Sequence, residues 1–451
     1  GTTRTELCVL LSLPYPGRRV CVMRGGRVNN SVLKVGFVAF VCIAFHAGTA
    51  LTQERESFTL QFLGREIFFT VGPNFSSHLV AEDFCAYFGL EPHHRAVREL
   101  IENAVADKFQ NRIEAAMAGN DVSARWFVDS VCRDFAPLHG MPLPYFTVRT
   151  APRFIIDAFP FFNELDILEV RLKELAPVVD KFILVESAMT HAGQPKNLTF
   201  DDNRARFEPF LDKIVHVVLD TLPESPDHWV RERAQRDAIH EGVGQAGAEG
   251  DDLLIVSDTD EIPRRSTMRA LSWCEGYTPP LQLRSTFFYY SLRHRWTEIQ
   301  NGLPVPFQWS QPRAALVSQL QFPARTVNHL RYDPGEGNFQ VIYHASWHLS
   351  FFGGEERIRT KILSYAHQEN NRPENIDSAH IQSAMREGKD LFGRGNPHGE
   401  LMPTTEPYDI PSPILHDVAQ RGTESKYHGW LAEEFQISEF MDGPGAGRSE
   451  L

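Results

Sequence analysis

Cysteine is scarce in this sequence, six in 451 residues with no Cys-x-x-Cys pair, so a cysteine-ligated zinc site is not expected. A strongly basic segment is also missing. Lys and Arg number 45 against 58 Asp and Glu, a formal net charge of -13, which argues against a partner such as nucleic acid, whose binding rests on clustered cations displacing counterions. There is no internal repeat. The 42% hydrophobic, 11% aromatic and 23% charged residues lie far from disordered or collagen-like extremes. Most of the chain is therefore expected to fold. With 451 residues against roughly 150 per average domain, it has room for two or three units and one large core, enough for an enzyme.

Long apolar runs are limited to one. Residues 35–47 are nearly uncharged, and charge returns only at Glu54. Upstream lie Arg4, Arg18, Arg19, Arg24, Arg27 and Lys34 against a single Glu6, the cation excess that keeps a flank in the cytoplasm. The run reads as a signal-anchor over 35–52, or as a signal peptide cut near Ala50, with a helix buried in a globular unit as the bland alternative. Residues 1–34 would then be a cytoplasmic basic segment and the bulk luminal. On that side Cys85, Cys132 and Cys274 meet oxidising conditions, and Cys85 with Cys132 is a candidate bridge. The sequons Asn74-Phe75-Ser76 and Asn197-Leu198-Thr199 are candidate glycan acceptors there.

Residues 53–140 read as a small α+β domain. Residues 58–63 and 66–71 flank Gly64-Arg65 as a hairpin, followed by helices over about 80–87 and 93–117. From Arg153 short apolar strands alternate with amphipathic segments, which predicts an α/β domain with a largely parallel sheet over 151–400. Strand candidates are 154–156, 182–185, 214–219 and 253–256, with helices near 164–175 and 229–242. In such sheets ligands bind at the carboxyl ends of the strands, and three of these end in polar residues: Asp157, Glu186-Ser187 and Ser257-Asp258. Residues 401–451 form a proline-rich C-terminal extension with an end expected to be disordered.

Asp258-Thr259-Asp260 follows four apolar residues, so two carboxylates emerge together beyond a buried strand. Oxygen ligands of this kind suit Mg²⁺ or Mn²⁺, which would bridge a nucleotide sugar's diphosphate. Alone, the motif is equally an acidic turn. Glu232, Gln235 and Arg236 are spaced i, i+3 and i+4 and share one helix face with Arg231 beside it. A guanidinium there suits phosphate, and an ion-paired helix face is the plain alternative. Asn163, Glu164 and Glu186 sit at strand ends, with Glu186 the first choice for a base or ribose contact and Glu164 alternatively a helix cap.

The segments Asp157-Ala158-Phe159-Pro160-Phe161-Phe162-Asn163-Glu164-Leu165-Asp166 and Asp258-Thr259-Asp260-Glu261-Ile262-Pro263 resemble glycosyltransferase family seventeen. Further matches are Val185-Glu186-Ser187, Trp229-Val230-Arg231-Glu232 with Gln235-Arg236, Trp347-His348-Leu349-Ser350, and residues 381–388. The resemblance implies a GT-A-like nucleotide-sugar domain with UDP-N-acetylglucosamine as donor, a divalent cation, inversion at the sugar carbon and a glycoprotein N-glycan acceptor. It also implies a Golgi or endoplasmic reticulum membrane location. On the matching positions Asp258 and Asp260 become metal and diphosphate ligands, with His348 as a third metal ligand or a packed aromatic-cluster histidine. Direct displacement needs a general base. The candidates are Glu261, Glu355, Glu369 and Asp390, with Asp390 preferred. The other readings are a transferase of the same fold with another donor or acceptor, and a non-catalytic glycan-binding protein.

Overall fold

The computed structural model describes residues 7–12, 19–25, 38–44, 55–62, 65–88, 94–139, 141, 146–300, 303–320, 326–332, 339–394, 399–404 and 409–431. They fall into two compact units, one chiefly Gly1–Asp134, the other Phe135–Phe146 with Pro152–Ala432.

The first unit holds a five-stranded sheet in the order Leu7–Ser12, Arg19–Gly25, Val38–Ala44, Arg65–Val71, Glu56–Phe62. The expected hairpin is its far edge, Glu56–Phe62 antiparallel to Arg65–Val71. Helices Ser77–Phe88, His94–Phe109 and Val122–Leu138 follow. Phe58, Phe69, Phe109 and Phe127 are buried between sheet and helices, and Phe58 stacks on Phe69 at 5.5 Å. The stretch read as an anchor contains the strand Val38–Ala44, which pairs with Arg19–Gly25 and Arg65–Val71. No helix among the described residues is long and apolar enough to cross a membrane. A short apolar run rich in β-branched and aromatic residues fits a buried strand as well as a spanning helix, and hydropathy alone does not separate them. Cys85 is a buried thiol outside any disulfide while Cys132 is disulfide-bonded, so these two do not pair.

The second unit is α/β, built on a twelve-stranded mixed sheet. Four strands at one side are parallel, in the order Leu253–Val256, Ile155–Phe161, Lys181–Ser187, Ile214–Leu219. The apolar side chains of the first three are buried: Ile156, Ile183, Leu254 and Ile255 are 0% exposed, as expected for strands covered on both faces, whereas the edge strand Ile214–Leu219 leaves Val218 exposed. Helices His228–Asp237 and Ile239–Gln245 close one face over Ile183, Val185 and Val217. Gly242 permits that approach, since a Cβ there would lie 2.3 Å from Ile183 Cγ2. The remaining strands, including Arg313–Leu316, Leu281–Tyr289, Gln340–Ser350 and Glu261–Pro263, extend the sheet beyond Leu253–Val256. An aromatic cluster of Phe287, Tyr289, Tyr290, Trp296 and Phe351 packs there against Ile358, Ile362 and Ile381.

One consequence of this order positions the site. From Ile155–Phe161 the chain lays the next two parallel strands to one side and the fourth, Leu253–Val256, to the other. Connections leaving these two neighbours diverge, and a crevice opens at their carboxyl ends.

Candidate active site

The crevice is a cavity of about 560 Å³ lined by Pro160, Phe161 and Phe162 from one strand end and Asp258, Thr259 and Asp260 from the other. The acidic turn is closed by Glu261 N–H donating to Asp258 O at 3.0 Å, and Thr259 Oγ1 ties it to Pro160 O at 2.7 Å. After it, Glu261–Pro263 pairs antiparallel with Gln340–Ser350, placing His348 opposite Glu261. Sheet pairing thus brings His348 beside Asp260 across 88 residues of sequence, with its Nε2 3.6 Å from Asp260 Oδ1.

Arg171, from the helix Leu165–Leu175, holds this turn from below. Its guanidinium donates to both oxygens of Asp157 at 2.7 and 2.6 Å and to the carbonyls of Asp258 (2.9 Å), Thr259 (3.2 Å) and Glu261 (2.8 Å). Both members of the Arg171–Asp157 pair are 0% exposed. Asp157 therefore lies in mid-strand as the counter-ion of a turn-holding arginine, not at a strand end facing ligand.

Three cations from three helices converge on the carboxylates. Arg236 donates to Asp258 Oδ1 at 2.9 Å and Arg331 to Oδ2 at 2.7 Å, while Lys361 Nζ donates to Asp260 Oδ2 at 2.8 Å. Burial by itself would raise the Asp258 pKa, but Arg331 and Arg236 outweigh it and hold the carboxyl well below its usual range. Asp260 is lowered in the same way, burial being overcome by Lys361 and His348. Both are ionised near neutrality. Burial dominates at His348 and lowers its pKa, so the imidazole is neutral.

This chemistry separates the expected metal ligands. Among the described residues no cluster of three or more His, Cys, Asp or Glu side chains converges as a metal site. Asp260 and His348 nonetheless fit a divalent cation: an ionised carboxylate beside a neutral imidazole whose Nδ1 is buried without a hydrogen-bond partner. Two protein ligands suffice where a diphosphate and water complete the set. Asp258 fits less well, because both its oxygens already serve guanidinium groups.

The helix face read from the i, i+3, i+4 spacing does reach the cavity. Glu232, Gln235 and Arg236 all line it. Glu232 accepts from Arg236 at 2.7 Å and from Tyr332 Oη at 2.9 Å, and Gln235 Nε2 donates to Val185 O at 2.9 Å. Arg231 instead is buried and secures loops, donating to Ser225 O at 2.8 Å and to His191 O. Glu164 lines the cavity from the N-cap position of its helix without a side-chain cap bond, its Oε2 turned back to Asn163 N–H at 3.0 Å. Asn163 points its carbonyl to Arg357 at 2.8 Å and lies outside the main cavity lining. Glu186 does as well: it is 0% exposed, accepts from Phe200 N–H at 2.9 Å and faces His216 at 3.2 Å.

None of the four acids put forward as a base, Glu261, Glu355, Glu369 and Asp390, lines the cavity: Glu355 accepts from Arg359 at 3.1 Å and from Gln382 at 2.5 Å, and Glu369 accepts from His367 Nδ1 at 2.5 Å. Glu261 is fully buried and accepts four bonds, from Asp258 N–H, Trp309 Nε1 and both terminal nitrogens of Arg331. Asp390 accepts from Arg394 N–H at 2.7 Å and from its guanidinium at 2.7 Å, and it is Arg394 that lines the cavity. Sequence reasoning also passed over Arg331, His191 and Lys196, which line the cavity. Arg331 sits on a six-residue helix 73 positions after Asp258, with no motif around it to mark it.

Burial lowers the pKa of His191, whose Nε2 is 2.7 Å from Gln235 Oε1. A histidine with a folded pKa below its unfolded value, ordinarily 6.5, binds more protons when unfolded. Its stabilising contribution is present above that pH and is lost as pH falls. With His348 shifted in the same direction, the melting temperature is expected to be flat from pH 8 to 7 and to decline from about pH 6.5 downward. Thermal denaturation across pH 8 to 5 without added metal checks this. A profile flat through that range contradicts the buried neutral histidines.

The profile of glycosyltransferase family 17 matches residues 132–395, more than half of the chain. The β-1,4-mannosyl-glycoprotein 4-β-N-acetylglucosaminyltransferase of Homo sapiens is 28% identical over 233 residues, 48% of this chain and 44% of its own length, and that of Rattus norvegicus is equally similar. The chain thus spans less than half the length of these relatives. A solved mannosyltransferase of Pyrobaculum calidifontis covers 38% of this chain and 47% of its own at 18% identity, with a TM-score of 0.22, a superposition too weak to carry an argument. The matched span contains the switch-point crevice, the Asp258-Thr259-Asp260 turn and His348, and on this match the chain belongs to glycosyltransferase family 17.

Proposed function

We propose that this chain transfers N-acetylglucosamine from UDP-N-acetylglucosamine to a mannose of a glycoprotein N-glycan in a bisecting-type β-1,4 linkage, through a GT-A-like domain and with inversion. One observation carries the reading: at the switch-point cavity Arg236 and Arg331 converge on Asp258 while Lys361 and His348 meet the adjacent Asp260. Three cations held by two carboxylates form a site whose charge can be shared with an entering diphosphate. The guanidiniums suit phosphate oxygens geometrically, and Lys361, kept protonated by Asp260 and Glu164 despite burial, supplies a point charge. As the sugar–phosphate bond breaks, these fixed charges face the negative charge that develops on the departing nucleotide. Asp260 and His348 would hold Mn²⁺ or Mg²⁺, which when bound adds Lewis-acid stabilisation of that diphosphate.

A luminal placement in the Golgi or endoplasmic reticulum, with attachment through the N-terminal segment, goes with this reading. Disulfide-bonded Cys132 and Cys274 support an oxidising compartment. The direct test incubates the chain with a panel of UDP-sugars, Mn²⁺ and N-glycan acceptors. The expected product carries one additional β-1,4-linked N-acetylglucosamine. A product bearing another sugar defeats the donor assignment, and neither transfer nor donor hydrolysis with any sugar favours a glycan-binding module.

A further inference from the structure

Every carboxylate lining the cavity is engaged by its own surroundings. Asp258 serves two arginines, Asp260 faces Lys361 and His348, Glu232 takes Arg236 and Tyr332, and Glu164 folds back on backbone N–H groups. Inverting displacement still requires a group that removes the acceptor hydroxyl's proton. His367 lines the same cavity and is different in kind. It follows the helix Glu355–Ser364, which brings Lys361, and opens the turn Gln368–Asn370. Its ring meets Trp229 edge-on at 4.5 Å, and its Nδ1 donates to Glu369 Oε1 at 2.5 Å.

From this geometry we infer that His367 is the general base of transfer and that Glu369 is its positioning residue. The inference rests on the inverting transfer proposed above. An ionised carboxylate accepting from Nδ1 fixes the tautomer and leaves the Nε2 lone pair as the basic atom. It also stabilises the imidazolium once formed. His191, the other cavity imidazole apart from His348, is a poorer base: burial lowers its pKa, and its Nε2 is taken by Gln235. His367 retains 49% of its side-chain exposure, so its proton can pass to solvent. In the step itself the acceptor oxygen forms the new bond to the anomeric carbon. The bond from that carbon to the β-phosphate oxygen breaks, its electron pair leaves with UDP, and the hydroxyl proton moves to Nε2.

The titratable groups facing the dyad are few. Tyr365 packs 5.5 Å from His367 and is pushed up to about 12 by burial, so it is neutral. From the helix that carries Trp229, His228 acts on Glu369. A base of this kind acts only when unprotonated, so kcat/KM carries an acid limb that a variant without the base lacks.

The test uses the full chain with UDP-N-acetylglucosamine, Mn²⁺ and an N-glycan acceptor, alongside UDP binding by calorimetry. H367N is expected to lose about 10²- to 10⁴-fold in kcat and to lose the acid limb, with UDP affinity unchanged. E369Q is expected to keep the limb but move it to lower pH, the direction set by removing a negative charge beside an imidazolium. Added imidazole is expected to restore part of the activity of H367A. H367N with wild-type kcat and an unchanged limb overturns the inference while leaving the transferase reading intact. A wild-type chain that binds UDP but transfers nothing to an N-glycan overturns the reading, and the inference falls with it.

Discussion

Asp260→Asn is expected to lower transfer by on the order of 10³-fold, or ~4 kcal/mol of transition-state stabilisation. The substitution is nearly isosteric and keeps an oxygen for Lys361, which now donates to Oδ2 at 2.8 Å, so the loss reflects charge and not shape. Two effects would combine: the divalent cation proposed for this centre would lose its carboxylate, and Lys361 loses its counter-ion in a cavity that also holds Arg236 and Arg331. Initial rates with UDP-N-acetylglucosamine across a Mn²⁺ titration check this, with circular dichroism to establish folding. His348→Ala is expected to raise the Mn²⁺ concentration needed for half-maximal rate by about tenfold or more. Asp258→Asn is expected to raise donor KM while leaving that Mn²⁺ requirement nearly unchanged, because Asp258 holds arginines. Retention of activity within about tenfold in Asp260→Asn sinks the assignment of the centre.

Arg171→Met is expected to destabilise the second unit by about 3–5 kcal/mol, the usual cost of removing one partner from a buried ion pair. Asp157 would be left 0% exposed without its counter-ion, and the carbonyls of Asp258, Thr259 and Glu261 would lose their shared donor. Chemical denaturation of the purified variant measures this, and a midpoint close to wild type contradicts it. The double variant Arg171→Met with Asp157→Leu is expected to recover part of the stability, since an apolar pair no longer buries an unpaired charge. It is not expected to recover activity, because the turn presenting Asp260 still lacks its support.

Much of the second unit was legible because its signals are local. The strands Ile214–Leu219 and Leu253–Val256 fall on the expected residues, and the helix Leu165–Leu175 begins one position after the expected start. Continuous apolar runs between polar breaks identify doubly covered strands without further information. The face of Glu232, Gln235 and Arg236 followed from helical spacing alone. The strand Ile155–Phe161 runs well past Asp157, because Phe159 and Phe161 continue the buried face beyond a carboxylate that Arg171 neutralises. Hydropathy registers the charge at Asp157 but not its partner fourteen residues on. The strand Val38–Ala44 was illegible for a related reason: its partners Arg19–Gly25 and Arg65–Val71 are set by pairing, which is non-local and which hydropathy does not report.

By itself the sequence determined the alternation that makes an α/β unit, the emergence of Asp258 and Asp260 past a buried strand, and the helix face carrying Arg236. These depend on residues within a turn or two of one another. Tertiary structure alone decided what each carboxylate is for. Sheet pairing set His348 beside Asp260, and Arg331 and Lys361 arrived from helices 73 and 101 residues away to divide the two aspartates between them. It also enclosed Glu186, engaged Glu261 and Asp390 with arginines, and left His367 with Glu369 at the cavity. A carboxylate looks the same in sequence whether it meets a ligand or a guanidinium. The difference lies in the charge that folding brings within about 3 Å of it.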